Sequence, residues 1–295
     1  MSFEITTAFV KQFEDNITLL AQQRGSKLRG LMREVPLTGR SVFMDQIGAT
    51  QAQRTTTRHA DSPLISTPHS RRRLSAIDVQ WGDLIDDFDR LKMIVDPESE
   101  YSLNASWAIG REWDDIISEK FFADAFTGEE GSTVVSFPAA QAVDGTLKAD
   151  GTTGSPTTGL NVPKLRRARR ILLENNVDLD AETPHIAVSA KALDDLLAFT
   201  EVTSADFNTV RALVNGDLDT YMGFRFVRTE RVPKPSDWEI PVWVPSGMGL
   251  AVSQSPTARV TERADKRFST YVYYSTSVGA SRLEEEKVVK IPVAA

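Results

Sequence analysis

The sequence predicts an α+β fold in which the early and late parts of the chain build one body around an inserted middle unit. Three observations lead there. Ile77, Val79 and Trp81 alternate with polar residues as in a half-buried strand, yet no strand close by in sequence is available to pair with them. A helical run of about thirty residues, 98–127, follows directly. Residues 259–293 then alternate again in YVYYSTSVGASRLEEEKVVKIPV, so the C-terminal strands are the natural partners of the early one. At 295 residues the chain is long enough for one large domain or two smaller ones.

Taken in order, Thr6 or Thr7 caps a first helix whose Phe9, Phe13, Ile17 and Leu20 form one apolar stripe, ending near Gly25. Residues 35–48 have strand-like content around a turn at 37–39. Residues 51–73, QAQRTTTRHADSPLISTPHSRRR, hold too few apolar side chains for a core face, and Pro63 and Pro68 oppose helix. They read as an extended excursion from the body. Asp96 and Pro97 stop the segment that contains the Ile77 strand. The helix over 98–127 then places Ala105, Ile109, Trp113, Ile116 and Ile117 on successive turns, with Phe121, Phe122 and Phe126 near its end. At 1.5 Å per residue it spans roughly 40 Å, and its Ile109, Trp113 and Ile117 face should lie on the sheet made by both chain ends.

Residues 128–159, rich in Gly, Ser, Thr, Ala and Asp, read as a loop or a hairpin around 133–137. Asn161 caps a helix with Pro163 in its first turn; Leu165, Ile171, Leu172 and Leu173 turn inward and Arg166, Arg167, Arg169 and Arg170 outward. A short apolar strand at His185–Val188 and helices at 191–199 and 205–214 follow, the second capped by Thr203 or Ser204. Strands at 224–229, 240–244 and 249–253 close a middle unit of about 162–255.

Hydrophobic content of 41% and charged content of 25% are those of an ordinary globular protein. Cysteine is absent, which excludes disulfides, thiolate metal sites and cysteine nucleophiles. A net charge of −7 argues against a surface that wraps nucleic acid throughout. The charge is also divided. Residues 1–75 carry eleven Lys or Arg against six Asp or Glu, and residues 76–130 carry four against fifteen. Complementary blocks of this kind point to self-assembly, with protein as the partner. Glu4, Lys11, Glu14 and Asp15 interrupt the N-terminus, so it lacks the apolar core of a signal peptide. No apolar run is long enough to span a bilayer. The expectation is an intracellular, unexported protein with no membrane partner.

The search for chemistry is negative. His59 and His69, with Asp61 nearby, have no third ligand at a diagnostic spacing, and His185 beside an apolar strand is structural. Asp86, Asp87 and Asp89 lack the central glycine and terminal glutamate of an EF-hand. These aspartates, Asp114 with Asp115, and the Glu284, Glu285 and Glu286 run read as solvated or partner-facing acidic surface. Neither GxxxxGK[ST] nor GxSxG occurs. The arginines at 166–170 read as a solvated helix face. No catalytic residue, cofactor or metal site is expected, and the chain is not expected to be an enzyme.

Four segments in order, AQQRGSKLRG (21–30), RTTTRHADSPLISTPHSRRR (54–73), EVTSADFNTVRALVNGDLDTYMGFRF (201–226) and RADKRFSTYVYYSTSVGASRLEEEKVV (263–289), resemble the major capsid proteins of tailed bacteriophages. The resemblance implies the Hong Kong 97-type fold. It places an N-terminal arm at 1–35, an extended loop at 36–73 that reaches over a neighbouring subunit, and a peripheral domain with its spine helix and following loop at 74–160. An axial domain at 161–258 and C-terminal strands at 259–295 that complete the peripheral domain would follow. It further implies hexamers and pentamers of an icosahedral shell enclosing double-stranded DNA, located in the virion and assembled in the host cytoplasm. The implied partners are the chain itself, a scaffolding protein and a portal protein, with a decoration protein left open and packaged DNA touched only non-specifically.

An arm helix starting near Thr6 implies a separate scaffolding protein, and the absence of lysine between Leu28 and Leu91 speaks against lysine crosslinking through the loop. On this reading Arg54, Arg58, Arg71, Arg72 and Arg73 of the loop meet Asp83, Asp86, Asp87 and Asp89 of a neighbour, opposite charge setting the register. Replacing Arg71, Arg72 and Arg73 with Glu should then leave the subunit folded. The alternatives are an encapsulin-like nanocompartment shell and, from another class, an arginine-rich nucleic-acid-binding module.

Overall fold

The computed structural model describes residues 22–54, 58, 62, 64–85, 98–198 and 220–295. The expected helices at 6–20 and 205–214, together with His59, Asp61, Asp86, Asp87 and Asp89, lie outside the described residues.

A short strand, β1 (Arg33–Pro36), leads through a turn at Gly39, whose φ of 92° favours glycine, into β2 (Ser41–Ile47). β2 pairs antiparallel with β3 (His69–Ser75) from Ser41↔Ser75 out to Ile47↔His69, so residues 69–73 of the expected excursion are a strand at the base of a long hairpin, and the described residues up to Pro68 lie beyond it. β4 (Ile77–Ile85) and helix α1 (Glu98–Lys120) follow. At 23 residues α1 is about 35 Å long. It ends before the expected aromatic cluster: Phe121 and Phe122 sit in a turn, and Phe126 lies in β5 (Ala125–Thr127). The competing partner is β3, which takes up Phe126 opposite Arg73 and Thr127 opposite Arg72, while β6 (Thr133–Val135) completes this sheet as β2-β3-β5-β6. The hairpin expected around 133–137 therefore exists, with β5 as its first arm.

Helix α2 (Val162–Glu174) begins as its sequence dictates, with the Asn161 side chain accepting from Lys164 N and Pro163 in the first turn. It buries Val162, Lys164, Leu165, Ala168, Ile171 and Leu172. Leu173, expected inside, is 52% exposed, because the helical step from Leu172 carries it off the buried face. The five-stranded sheet beneath is built from β7 (His185–Val188), β8 (Thr220–Tyr221), β9 (Phe224–Arg228), β10 (Trp238–Trp243) and β13 (Val288–Val293), in the order β13-β10-β7-β9-β8. Helix α3 (Ala190–Leu197), capped by Ser189, follows β7.

β11 (Met248–Arg263) and β12 (Ser269–Arg282) form the longest hairpin and close a third sheet, β1-β11-β12-β4. The early strand thus finds its expected partner, with Ile77↔Val278 through Ile85↔Thr270 in antiparallel register. Two pairings depart from expectation. β11 lies in this third sheet from Met248 onward, and β13 leaves it to pair with β10. Alternation assigns a residue to a face and says nothing about which sheet receives the strand. Helix α1 rests on β12, β4 and β11 with Ile109, Trp113 and Ile117 all buried. At its end Phe121 meets Trp243 of β10 at 4.8 Å between ring centroids, which joins the two sheets through one core.

Candidate inter-subunit surface

β3 alternates, so Arg72 and Leu74 share the inward face while Arg71 and Arg73 point the other way. Arg72 is buried; its Nε donates to Leu283 O at 3.0 Å and its guanidinium pairs with the Glu285 carboxylate. The same carbonyl accepts from Gln46 Nε2 at 2.9 Å. Arg71 pairs with Asp45 at 2.9 Å, and the Arg73 guanidinium lies 4.9 Å from the Phe126 ring centroid. The three arginines therefore root the hairpin in its own subunit. The expectation that all three could become Glu without harm fails at Arg72, because a carboxylate there would face buried Glu285. The missed signal was in the pattern RRRL, where Arg72 is in phase with Leu74.

The acidic groups divide in the same way. Asp114, expected on a surface, is fully buried: it accepts from Lys27 N at 2.9 Å, from Leu28 N at 3.1 Å, from Ser26 Oγ and from Gln23 Nε2. It fastens the segment 23–28 across α1 where Gly110 makes room, since a Cβ on Gly110 would come within 2.5 Å of the Gly25 backbone. Asp115 pairs with Arg231, and Glu284 with Lys287 at 2.8 Å. Glu285 is buried against Arg72, leaving Glu286 as the exposed member of its run.

Two further buried cations have structural duties that composition did not disclose. Lys164 donates to Thr158 O at 2.7 Å and Pro292 O at 2.8 Å, and burial pushes its pKa down to about 8. Arg282 donates to Phe121 O at 3.0 Å, to Ala123 O and to Val135 O at 3.3 Å, which stitches the end of α1 to β6; burial lowers its pKa. His185 is buried in β7 beside Trp243, its pKa lowered by burial and then by Arg225. Among the described residues no group of three or more His, Asp or Glu is placed to hold a metal. A cleft of about 1090 Å³ is lined by groups that already have partners: Arg111 donates to Gln22 and Gln23, Arg231 to Asp115, and Lys27 Nζ to Arg228 O at 2.7 Å.

The free surface lies elsewhere. Every described residue from Ile47 to Ser70 is exposed, including Arg54, Arg58 and Leu64, the last completely so. Asp83 is exposed on β4. Beside it along the strand, a groove of about 410 Å³ between β4 and α1 is lined by Ile77, Val79, Trp81 and Ile109, with Asp78 and Glu112 at its rim. A model of the phage capsid protein family matches residues 5–294. The chain belongs to that family.

This phage capsid protein is similar in structure to the capsid of the cyanophage P-SCSP1u, with a TM-score of 0.76, 16% identity, and coverage of 98% of this chain and 94% of the other. Against the capsid of Ralstonia phage GP4 the TM-score is 0.75 at 10% identity, covering 100% and 97%. Against Mycobacterium phage Che8 it is 0.68 at 17% identity, covering 95% of each chain. At these identities the likeness is one of fold, and the fold is of the Hong Kong 97 type. No curated protein matches the sequence. The phage capsid protein is a structural subunit of a virion shell, not an enzyme, and neither the compartment-shell nor the nucleic-acid-module alternative draws support from these likenesses.

Proposed function

We propose that this is the major capsid protein of a tailed phage, assembling into hexamers and pentamers of an icosahedral shell around double-stranded DNA. The observation that carries the reading is the β2–β3 hairpin. Beyond its rooted base, its described residues from Ile47 to Ser70 are all exposed, apolar Ile47 and Leu64 among them, so the segment gains burial only from another molecule. It reaches over a neighbouring subunit, with Arg54 and Arg58 set against that neighbour's Asp83 and the sequence-adjacent Asp86, Asp87 and Asp89.

The division into arm 1–35, extended loop 36–73, peripheral part 74–160, axial part 161–258 and C-terminal strands 259–295 is kept with two changes: β11 from Met248 onward goes to the peripheral sheet and β13 to the axial sheet. Scaffolding and portal proteins are the partners during assembly in the host cytoplasm, and a decoration protein is a further option. Co-expressed with its scaffold, the protein should sediment as closed particles visible by electron microscopy. Monomers under every condition would overturn the reading.

A further inference from the structure

The far end of the β11–β12 hairpin breaks a local rule. The strands remain paired out to Arg263↔Ser269, and β4 supports them as far as Thr270↔Ile85, so the closing residues 264–268 project past the end of the sheet. All five are exposed. Arg267 and Phe268 both adopt left-handed backbone, with φ of 54° and 61°. A Cβ disfavours that conformation, and glycine or asparagine fills it wherever local preference alone decides. Here an aromatic occupies it with 62% of its surface exposed, so little burial within the subunit offsets the strain.

The loop is nonetheless held firmly. Phe268 N donates to Arg263 O at 3.0 Å, Ser269 Oγ donates to Lys266 O at 2.6 Å, and the Arg263 guanidinium, bound to Asp265, lies 5.6 Å from the Tyr271 ring centroid. An exposed aromatic carried on a fixed backbone is a partly pre-organised anchor of the kind that carries most of an interface's energy. Val260 and Leu84, which lie on opposite faces of the same arm, are exposed as well. Residues 259–268 hold Arg259, Arg263, Lys266 and Arg267 against Glu262 and Asp265, whereas the whole chain carries −7. A second copy offers the opposite sign at the described exposed acids of 76–130, among them Asp78, Asp83, Glu112, Glu119 and Asp124.

We propose that Phe268 is an interface anchor, held in strained backbone at the hairpin tip to dock on the acidic surface of a second copy of this chain. The proposal rests on the shell-subunit reading above, and the test separates the two. Phe268→Gly and Phe268→Asn both suit left-handed backbone, so each should melt no lower than wild type. Each should slow particle formation about tenfold or more, followed by light scattering at equal subunit concentration. A photoreactive benzoyl-phenylalanine at position 268 should crosslink assembled particles from one subunit to the next. Wild-type assembly rates in both variants, slowing only in step with a lower melting temperature, or crosslinks confined to one subunit or to another virion component would overturn it. Wild type that never forms particles in the same experiment would instead bring down the shell-subunit reading, and this proposal with it.

Discussion

Replacing Asp114 with Ala should detach the segment that crosses α1 while the rest of the subunit stays folded. The carboxylate is fully buried and accepts from the backbone amides of Lys27 and Leu28 as well as from Ser26 Oγ and Gln23 Nε2. With it removed, two amides lose their acceptor; at about 1–3 kcal/mol each the penalty is about 2–6 kcal/mol. The two side chains can turn to water and add little. A cost of that size is a large share of a domain's stability of about 5–15 kcal/mol. The chain has a cheaper response, however. It can lift residues 22–32 off α1, giving up the burial of Leu28 and Met32 and the bond from Trp243 Nε1 to Leu31 O.

The measured loss is then capped at whatever holds that segment down. Trypsin provides the assay, since Arg24, Lys27 and Arg29 all lie in the segment. Cleavage there should accelerate in Asp114→Ala well before global melting shifts. Gly110→Ala acts on the same crossing by steric contact, so the double variant should be little worse than either single one, a non-additivity expected of changes that share one consequence. Unchanged trypsin cleavage in Asp114→Ala, or strict additivity with Gly110→Ala, would refute the account of Asp114 as the clasp of the arm.

Arg72→Glu should destabilise by about 3–5 kcal/mol in denaturant melts because it sets two carboxylates together out of water, and Glu285→Arg in the same chain should recover much of that loss. Arg71→Glu should cost far less, since the Arg71 side chain is 40% exposed and its partner Asp45 more so. Lys164 has a folded pKa of about 8 against an ordinary 10.5, so the unfolded chain binds more protons between those values. Its contribution to stability should rise by about 3 kcal/mol as pH climbs from 8 through 10.5 and be absent below 8, and Lys164→Met should lack that rise in paired melts. Trp113→Ala, which empties the centre of the α1 face, should lower stability by about 3–5 kcal/mol; a variant as stable as its parent would put that face in solvent.

Several elements were legible because their causes are local. The Asn161 cap and Pro163 start α2 through bonds made within one turn. Ile109, Trp113 and Ile117 define a buried face through helical spacing alone, and the alternation at Ile77, Val79 and Trp81 was enough to call a strand and to require a distant partner. The exposed hairpin beyond Ile47 was likewise readable, since a segment with few apolar groups and two prolines can build no core of its own.

What escaped was decided by neighbours remote in sequence. α1 stops at Lys120 because Phe126 and Thr127 are claimed as a strand by Arg73 and Arg72 of β3, a pairing that helix propensity cannot register. Charged residues were the systematic error. Asp114 finds its amide donors 86 and 87 residues away, Lys164 a carbonyl 128 away, and Arg72 its carboxylate 213 away. A charge leaves water only if such partners are waiting, so composition and spacing read Asp114 and Arg72 as surface and single out nothing at Lys164. Local periodicity in the sequence determined which residues form helices and strands and which face each presents. The tertiary structure alone decided which sheet receives β11 and β13 and which charges are buried, because strand pairing and the desolvation of an ion both depend on groups that only the folded chain brings into contact.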